Sequence, residues 1–232
     1  MGIRITGGED SGGLRALQNS SREIQDSTSQ LSSGLRLNRA ADDAAALAIA
    51  SRLESEARGL QQAQRNVQTG VSIIQTADAG LDNIQEDVQR IRELAVQASN
   101  GTLSDDDRQA IQAEIDQRVA SIDQAATNTE FNGQALLEGS AEGAAALQIA
   151  GGADGTETLD IDIADSRAAA LGLDTIDVTT QAGAEVAVTA ADTATEQISE
   201  TRAEIGATQN RLQSQNNRLA TTQVNAEAAR SR

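Results

Sequence analysis

The sequence lacks cysteine, histidine and lysine. Among its 232 residues there is no Cys and no His, and all 18 basic residues are Arg. Without Cys the chain has no disulfide and no thiolate ligand for a metal. Without His it lacks the usual general base and the commonest metal ligand, so the many Ser and Thr hydroxyls have no activating partner. We expect no catalysis, no metal site and no cofactor.

Aromatic residues and proline are almost absent as well. The chain has one Phe and no Tyr, Trp or Pro. Apolar burial must then come from Leu, Ile, Val and Ala, which disfavours a thick globular core. Long helices fit this composition, because no proline interrupts them.

Positive charge is scarce. The 35 acidic residues outnumber the 18 basic ones, for a net charge of −17. Proteins that bind nucleic acid or anionic membranes need a basic face, and the sequence has no basic run. No stretch approaches the ~18 apolar residues of a membrane span, and residues 1–13 lack the apolar centre of a secretory signal. We expect no nucleic acid or membrane partner.

Heptad spacing dominates what is present. Leucine, isoleucine and valine recur every seven residues at 53, 60, 67, 74, 81 and 88, which predicts a helix over residues 44–99 on the order of 80 Å long. The same spacing at 198, 205, 212, 219 and 226 predicts a last helix from about Asp192 to Ala229. Such a narrow apolar stripe needs a partner helix, so we expect the two to pack together.

Shorter elements complete the predicted fold. Residues 14–32 have a weaker amphipathic pattern, and Ser104 followed by three Asp predicts a capped helix that ends near Thr129. Apolar and polar residues alternate on both sides of GGADG, residues 151–155, which predicts a β-hairpin near 147–163. Its carboxylates Asp160 and Asp162, with Asp165, could form a calcium site, but an outward-facing position on a strand explains them better.

The predicted fold is therefore mainly α, an elongated antiparallel helical rod (a coiled-coil-like bundle) with one small β-hairpin. We expect an amino-terminal segment, residues 1–42, to be disordered unless it packs against neighbouring copies. Residues 43–232 form the predicted rod. Residues 174–190 are expected to be a short connection before the last helix.

Several segments resemble those of bacterial flagellins. They are LSSGLRLNRAADDAAALAIASRL (31–53), the long helix over 59–102, FNGQALLEG (131–139), ADSRAAALGL (164–173) and ISETRAEIGATQNRLQS (198–214). The resemblance implies a non-enzymatic, secreted structural subunit that polymerises into the extracellular flagellar filament for motility. It also implies junction proteins, cap proteins and the flagellar export machinery as partners. By resemblance the family continues past Arg232 into a further helix, and large variable domains are absent here.

The resemblance also implies contact residues. Gln89, Arg90, Leu94, Glu114 and Leu219 match positions where flagellin protofilaments pack or where the flagellin-sensing Toll-like receptor of vertebrates binds. The sequence pattern alone offers a plainer interpretation, in which Leu94 lies inside the rod and Arg90 is part of a solvated face.

Two alternative functions stay open at this point. One is a hook–filament junction protein or minor flagellin-like protein, which shares the rod but joins or caps a filament. The other is a cytoplasmic signalling coiled-coil hairpin, whose heptads and Ala/Gln content are similar. Such a receptor needs a membrane span or a kinase-coupling tip, and the sequence shows neither.

Overall fold

The computed structural model describes residues 10–33 and 43–231, and within them the chain is mainly helical. The helices are α1 (Asp10–Ser33), α2 (Ala44–Ala98), α3 (Asp105–Asn128) and α4 (Gln181–Ser231), and the strands are β1 (Glu130–Phe131), β2 (Gln134–Ala135), β3 (Leu147–Ala150) and β4 (Thr158–Ile161). The predicted fold class, helices with a β-hairpin near 147–163, is confirmed. The chain divides into two compact units, residues 1–57 with 224–232, and residues 58–223.

In the larger unit, residues 58–223, the heptad positions form the core. On α2 the fully buried residues include Val67, Leu81 and Val88, and on α4 they include Ile198 and Leu212. The two helices run antiparallel, because Arg92 pairs with Asp192 whereas Asp82, ten residues earlier, pairs with Arg202. The predicted seam between the long helix and the last helix is confirmed.

The start of α4 differs from the prediction. The helix begins at Gln181, about three turns before the expected Asp192, so residues 181–190 are helical rather than part of a connection. These extra turns bury Ala184, Ala187 and Ala191, and the next turn buries Ala194. Alanine at a spacing of three or four residues lets two helices approach closely. The prediction missed this stripe because it followed only the larger apolar residues.

Helix α3 begins with the predicted cap. The Ser104 hydroxyl accepts a hydrogen bond from the Asp107 backbone N–H at 3.2 Å, and Asp107 Oδ2 accepts from the Ser104 N–H at 3.1 Å. This reciprocal capping box satisfies two helix-end donors. The bonds from Ser104 hold the pKa of Asp107 below its usual value.

Two hairpins follow α3. The predicted one pairs β3 with β4 in antiparallel register, from Leu147 opposite Ile161 to Ala150 opposite Thr158. The other pairs β1 with β2 around Asn132 and Gly133, which both have positive φ as two-residue hairpin turns require. The sequence pattern predicts only one hairpin, near 147–163, and no strands in this segment. Its strands have two residues each, too few for an alternating pattern to be visible.

The smaller unit contains α1, the beginning of α2 and the end of α4. The predicted amphipathic helix over 14–32 is confirmed, and its apolar residues are exposed, Leu31 by 89%. Asp43 caps α2, since its Oδ1 accepts from the N–H groups of Ala45 and Ala46 at 3.0 and 2.9 Å. The disorder expected for residues 1–42 stays a prediction. The glycine at 34 also predicts a turn that ends the first helix, and this position lies outside the described residues.

None of the described helices is both long and apolar enough to cross a bilayer.

Candidate subunit-contact surface

Arg90 is the centre of a charged cluster on the surface between α2 and α3. Its Nε and Nη2 donate to Glu114 Oε1 at 3.1 and 2.9 Å, and its Nη1 donates to Glu93 at 3.0 Å. The bonds to Glu114 raise the pKa of the guanidinium above its usual value. The Arg90 side chain is 44% exposed. The structure therefore brings together two of the predicted contact residues and fixes their geometry while leaving them accessible.

The other predicted contact residues lie in different surroundings. Gln89 is exposed next to the cluster. Leu94 is only 2% exposed and packs in the core, as the plainer interpretation of the pattern predicted. Leu219 is also buried, on α4, far along the seam, where the nearby Gln223 bonds to Gln64. The five residues therefore do not form one patch, and their role in contacts stays a prediction.

A second charged cluster joins α2 to α4. Arg202 Nε donates to Asp78 at 3.0 Å, and its Nη1 donates to Asp82 at 2.6 Å and to Gln85 at 2.8 Å. The sequence analysis missed this cluster because Arg202 lies more than 110 residues along the chain from its three acceptors. The only available signal was the spacing of Asp78, Asp82 and Gln85, which places three acceptors on one helix face.

A polar groove of about 370 Å³ separates the surfaces of α2 and α3, and the sequence analysis did not foresee it. It is lined by Asn83, Glu86, Asp87, Ser121, Gln124 and Asn128. Asp87 is the least accessible of these acidic groups, with 9% exposure, and its Oδ1 accepts from Arg118 at 3.2 Å. We call this feature the α2–α3 groove.

Two of the carboxylates considered as a calcium site have different partners in the structure. Asp162 accepts a hydrogen bond from the Gly143 N–H at 2.9 Å, and Asp165 forms an ion pair with Arg167 at 2.6 Å. These bonds hold the pKa of Asp165 below its usual value. In the described part of the chain, no group of three or more His, Cys, Asp or Glu is arranged to hold a metal ion.

Long apolar seams, cross-helix ion pairs and exposed charge clusters together define a class. They are features of a helical structural protein that works through contacts with other proteins.

Comparisons with known proteins give the family. A profile of the bacterial flagellin N-terminal helical region matches residues 11–142, and one of the C-terminal helical region matches residues 188–232. The chain is 40% identical to a flagellin of Halalkalibacterium halodurans over 210 residues, which are 90% of this chain and 76% of that protein. It is 46% identical over 149 residues to a flagellin of Salmonella paratyphi A, covering 64% of this chain and 29% of that one.

A solved structure agrees with the sequence matches. The crystal structure of Bacillus cereus flagellin aligns with a TM-score of 0.59 and 32% identity, covering 67% of this chain and 88% of that one. This chain belongs to the bacterial flagellin family. It is a structural subunit of the flagellar filament, and this membership favours the filament hypothesis over the signalling hairpin.

Proposed function

We propose that the chain is exported through the flagellum's own channel and polymerises with copies of itself outside the cell. The observation that carries this proposal is the 40% identity to a flagellin over 90% of the chain. The absence of disulfides and the aromatic-poor core favour passage as an unfolded chain, since little structure has to be undone. Junction and cap proteins are the expected partners at the two ends of the polymer.

Surface shearing tests this proposal. Filaments sheared from producing cells and sedimented should contain the chain as their main component, while a cytoplasmic marker protein stays with the cells. Deleting the export apparatus should move the chain into the cell pellet. If the chain sediments with the cells in both strains, the proposal of an extracellular filament subunit is wrong. A few copies per filament would instead support the junction or minor flagellin alternative.

We further propose that Gln89, Arg90 and Glu114 form part of a subunit contact. Arg90 is held by two carboxylates, so little side-chain entropy is lost when a partner docks. Its remaining surface presents a planar guanidinium, which is suited to multidentate polar contacts. Leu94 and Leu219 support the two helices from within the core, because both are buried.

The chain offers a close control for Arg90. Arg92 lies on the same helix, is 48% exposed and forms one ion pair with Asp192. Arg90→Ala is expected to raise the critical concentration for polymerisation about tenfold, which corresponds to roughly 1.4 kcal/mol. Arg92→Ala should change it by no more than about threefold, because this substitution removes an exposed ion pair within one chain and none of the proposed contact residues. Equal effects of the two substitutions would remove the special role of Arg90.

The same surface is the proposed contact for a flagellin-sensing Toll-like receptor. Reporter cells that carry the receptor should respond less to monomeric Arg90→Ala than to monomeric Arg92→Ala at equal concentration. A response that is unchanged in both variants, or absent with the unmodified chain, would contradict this part of the proposal. Because monomers are used, the result does not depend on polymerisation.

A further inference from the structure

We propose that the α2–α3 groove receives the side chain of Arg211 from a second copy of the chain. The inference rests on the proposed function, because a filament requires copies to touch. It specifies one contact that the family membership does not give.

The groove is rich in hydrogen-bond acceptors. Glu86 and Asp87 on α2 contribute carboxylates, and Gln124 and Asn128 on α3 contribute amide groups, whose oxygens can accept hydrogen bonds. Asp87 Oδ1 accepts from Arg118, but among the described residues no donor reaches Asp87 Oδ2. Every buried side-chain oxygen of the described residues has a partner, so Asp87 Oδ2 is still reached by water and can exchange that water for a donor from another copy. The groove is therefore suited to a cationic donor.

The chain's own cations narrow the choice of occupant. Arginine supplies five N–H donors in a plane, and the sequence contains no lysine. Within residues 58–223 every other arginine has an interaction partner, which for all but Arg58 is a hydrogen-bonded side chain or backbone group. Arg211 is exposed on α4 and has no such partner among the described residues.

Charge favours the same pairing. Each copy carries a net charge of −17, so contacts between copies are opposed by repulsion unless opposite charges face each other. An arginine placed between Glu86 and Asp87 offsets part of that repulsion. The donor lies on α4 and the acceptors on α2 and α3, so two different surfaces meet. A contact of this kind repeats from copy to copy and builds a polymer rather than a closed dimer.

Elongation assays with the full chain test the contact. Seeds are prepared in ammonium sulfate, which strengthens apolar burial, and are elongated at low ionic strength, where charge contacts are least screened. Arg211→Glu and Glu86→Arg are each expected to raise the critical concentration about tenfold. The double variant, in which the charges are exchanged, should return to within about threefold of the unmodified chain.

Each substitution has a control with the same change in net charge. Arg65→Glu changes an exposed arginine that bonds only to neutral Gln62, and Glu204→Arg changes an exposed carboxylate on α4. If Arg211→Glu behaves like Arg65→Glu, or if the exchanged pair polymerises no better than the single variants, the inference is overturned.

Cross-linking gives a second readout, because the chain has no natural cysteine. Ser121→Cys places a thiol in the groove, and Ser214→Cys places one a turn from Arg211 while keeping the arginine. Oxidised polymers of this double variant should give a ladder of multimers on a denaturing gel. The control Ser121→Cys with Ser199→Cys, about three turns from Arg211, should give none.

The outcomes separate the two proposals. A ladder that disappears when Arg211→Glu is added supports the contact. If polymers form normally but no ladder appears, the inference is overturned and the proposed function stays intact. The same holds if the oxidised polymers give only dimers, or only a cross-link within one chain. If the unmodified chain does not polymerise on its seeds, the proposed function is overturned, and the contact with it.

Discussion

Replacing Arg108 by methionine should destabilise the turn between α2 and α3 strongly. The guanidinium is 8% exposed and donates to three backbone carbonyls, those of Ala98, Asn100 and Leu103, at 3.0 to 3.1 Å. These carbonyls close the end of α2 and the turn that follows it, so the arginine replaces the hydrogen bonds that a helix terminus lacks. Its charge also faces the negative end of the helix dipole.

The magnitude follows from these bonds. A hydrogen bond with a charged donor contributes about 1.5–3 kcal/mol, but carbonyls in a turn regain part of this from water when the arginine is removed. The ion pair with Asp105 spans 3.6 Å and its carboxylate is 91% exposed, so it adds little. We expect Arg108→Met to lower the free energy of unfolding by about 3 kcal/mol. For a chain of this size that is a loss of roughly 6–12 °C in Tm.

Urea unfolding followed by circular dichroism measures this change, and hydrogen exchange locates it. Exchange should accelerate most at residues 98–108. Arg108→Lys should recover less than half of the loss, because an ammonium group cannot reach three carbonyls in this fork. Arg65→Met is the control, an exposed arginine whose loss should cost less than about 0.5 kcal/mol. A loss below 1 kcal/mol in Arg108→Met, or full recovery by lysine, would refute the reasoning.

Two further predictions concern packing and pH. Gly59→Ala should destabilise the chain by about 1–2 kcal/mol, because the new methyl group would overlap the carbonyl of Ala153. Gly206→Ala should stabilise the chain by up to about 1 kcal/mol, because its methyl group meets open space on a helix. Thermal unfolding of both variants checks these opposite signs. Asp165→Asn should lower stability at pH 7 by about 0.5 kcal/mol through loss of the Arg167 pair. Since Arg167 lowers the pKa of Asp165 in the folded chain, this difference should shrink as the pH falls below about 4; a difference that persists at pH 2 would contradict the assignment.

Sequence reasoning succeeded where a local rule fixes the structure. Heptads of large residues predicted α2, because residues seven apart such as Val67 and Ile74 share a face in a helix but lie on opposite faces of a strand. The serine and aspartates at 104–107 predicted the start of α3, because the capping box is complete within four residues. In each of these cases the interacting groups are close in sequence.

It failed where the interaction depends on distant residues. The first turns of α4 are stabilised by alanines such as Ala184 and Ala187, whose burial depends on close approach of another helix and not on their own hydrophobicity. The α2–α3 groove forms between residues about 40 positions apart, and the Arg202 cluster between residues more than 110 apart. The groove has no local pattern, and the spacing of the acceptors on α2 shows only one side of the Arg202 cluster, so neither could be predicted from spacing alone.

These distant charges also solve a problem that the heptads leave open. A seam of identical seven-residue repeats can shift by one repeat and still bury apolar residues against apolar residues. The alanine stripe at the start of α4 adds little resistance, because small side chains slide past each other easily. A shift of seven residues would, however, move Arg202 away from Asp78 and Asp82 and separate Arg92 from Asp192. In a chain with few cations, placing arginines at these two points lets ion pairs that are individually weak select the register, while the apolar seam supplies most of the stability.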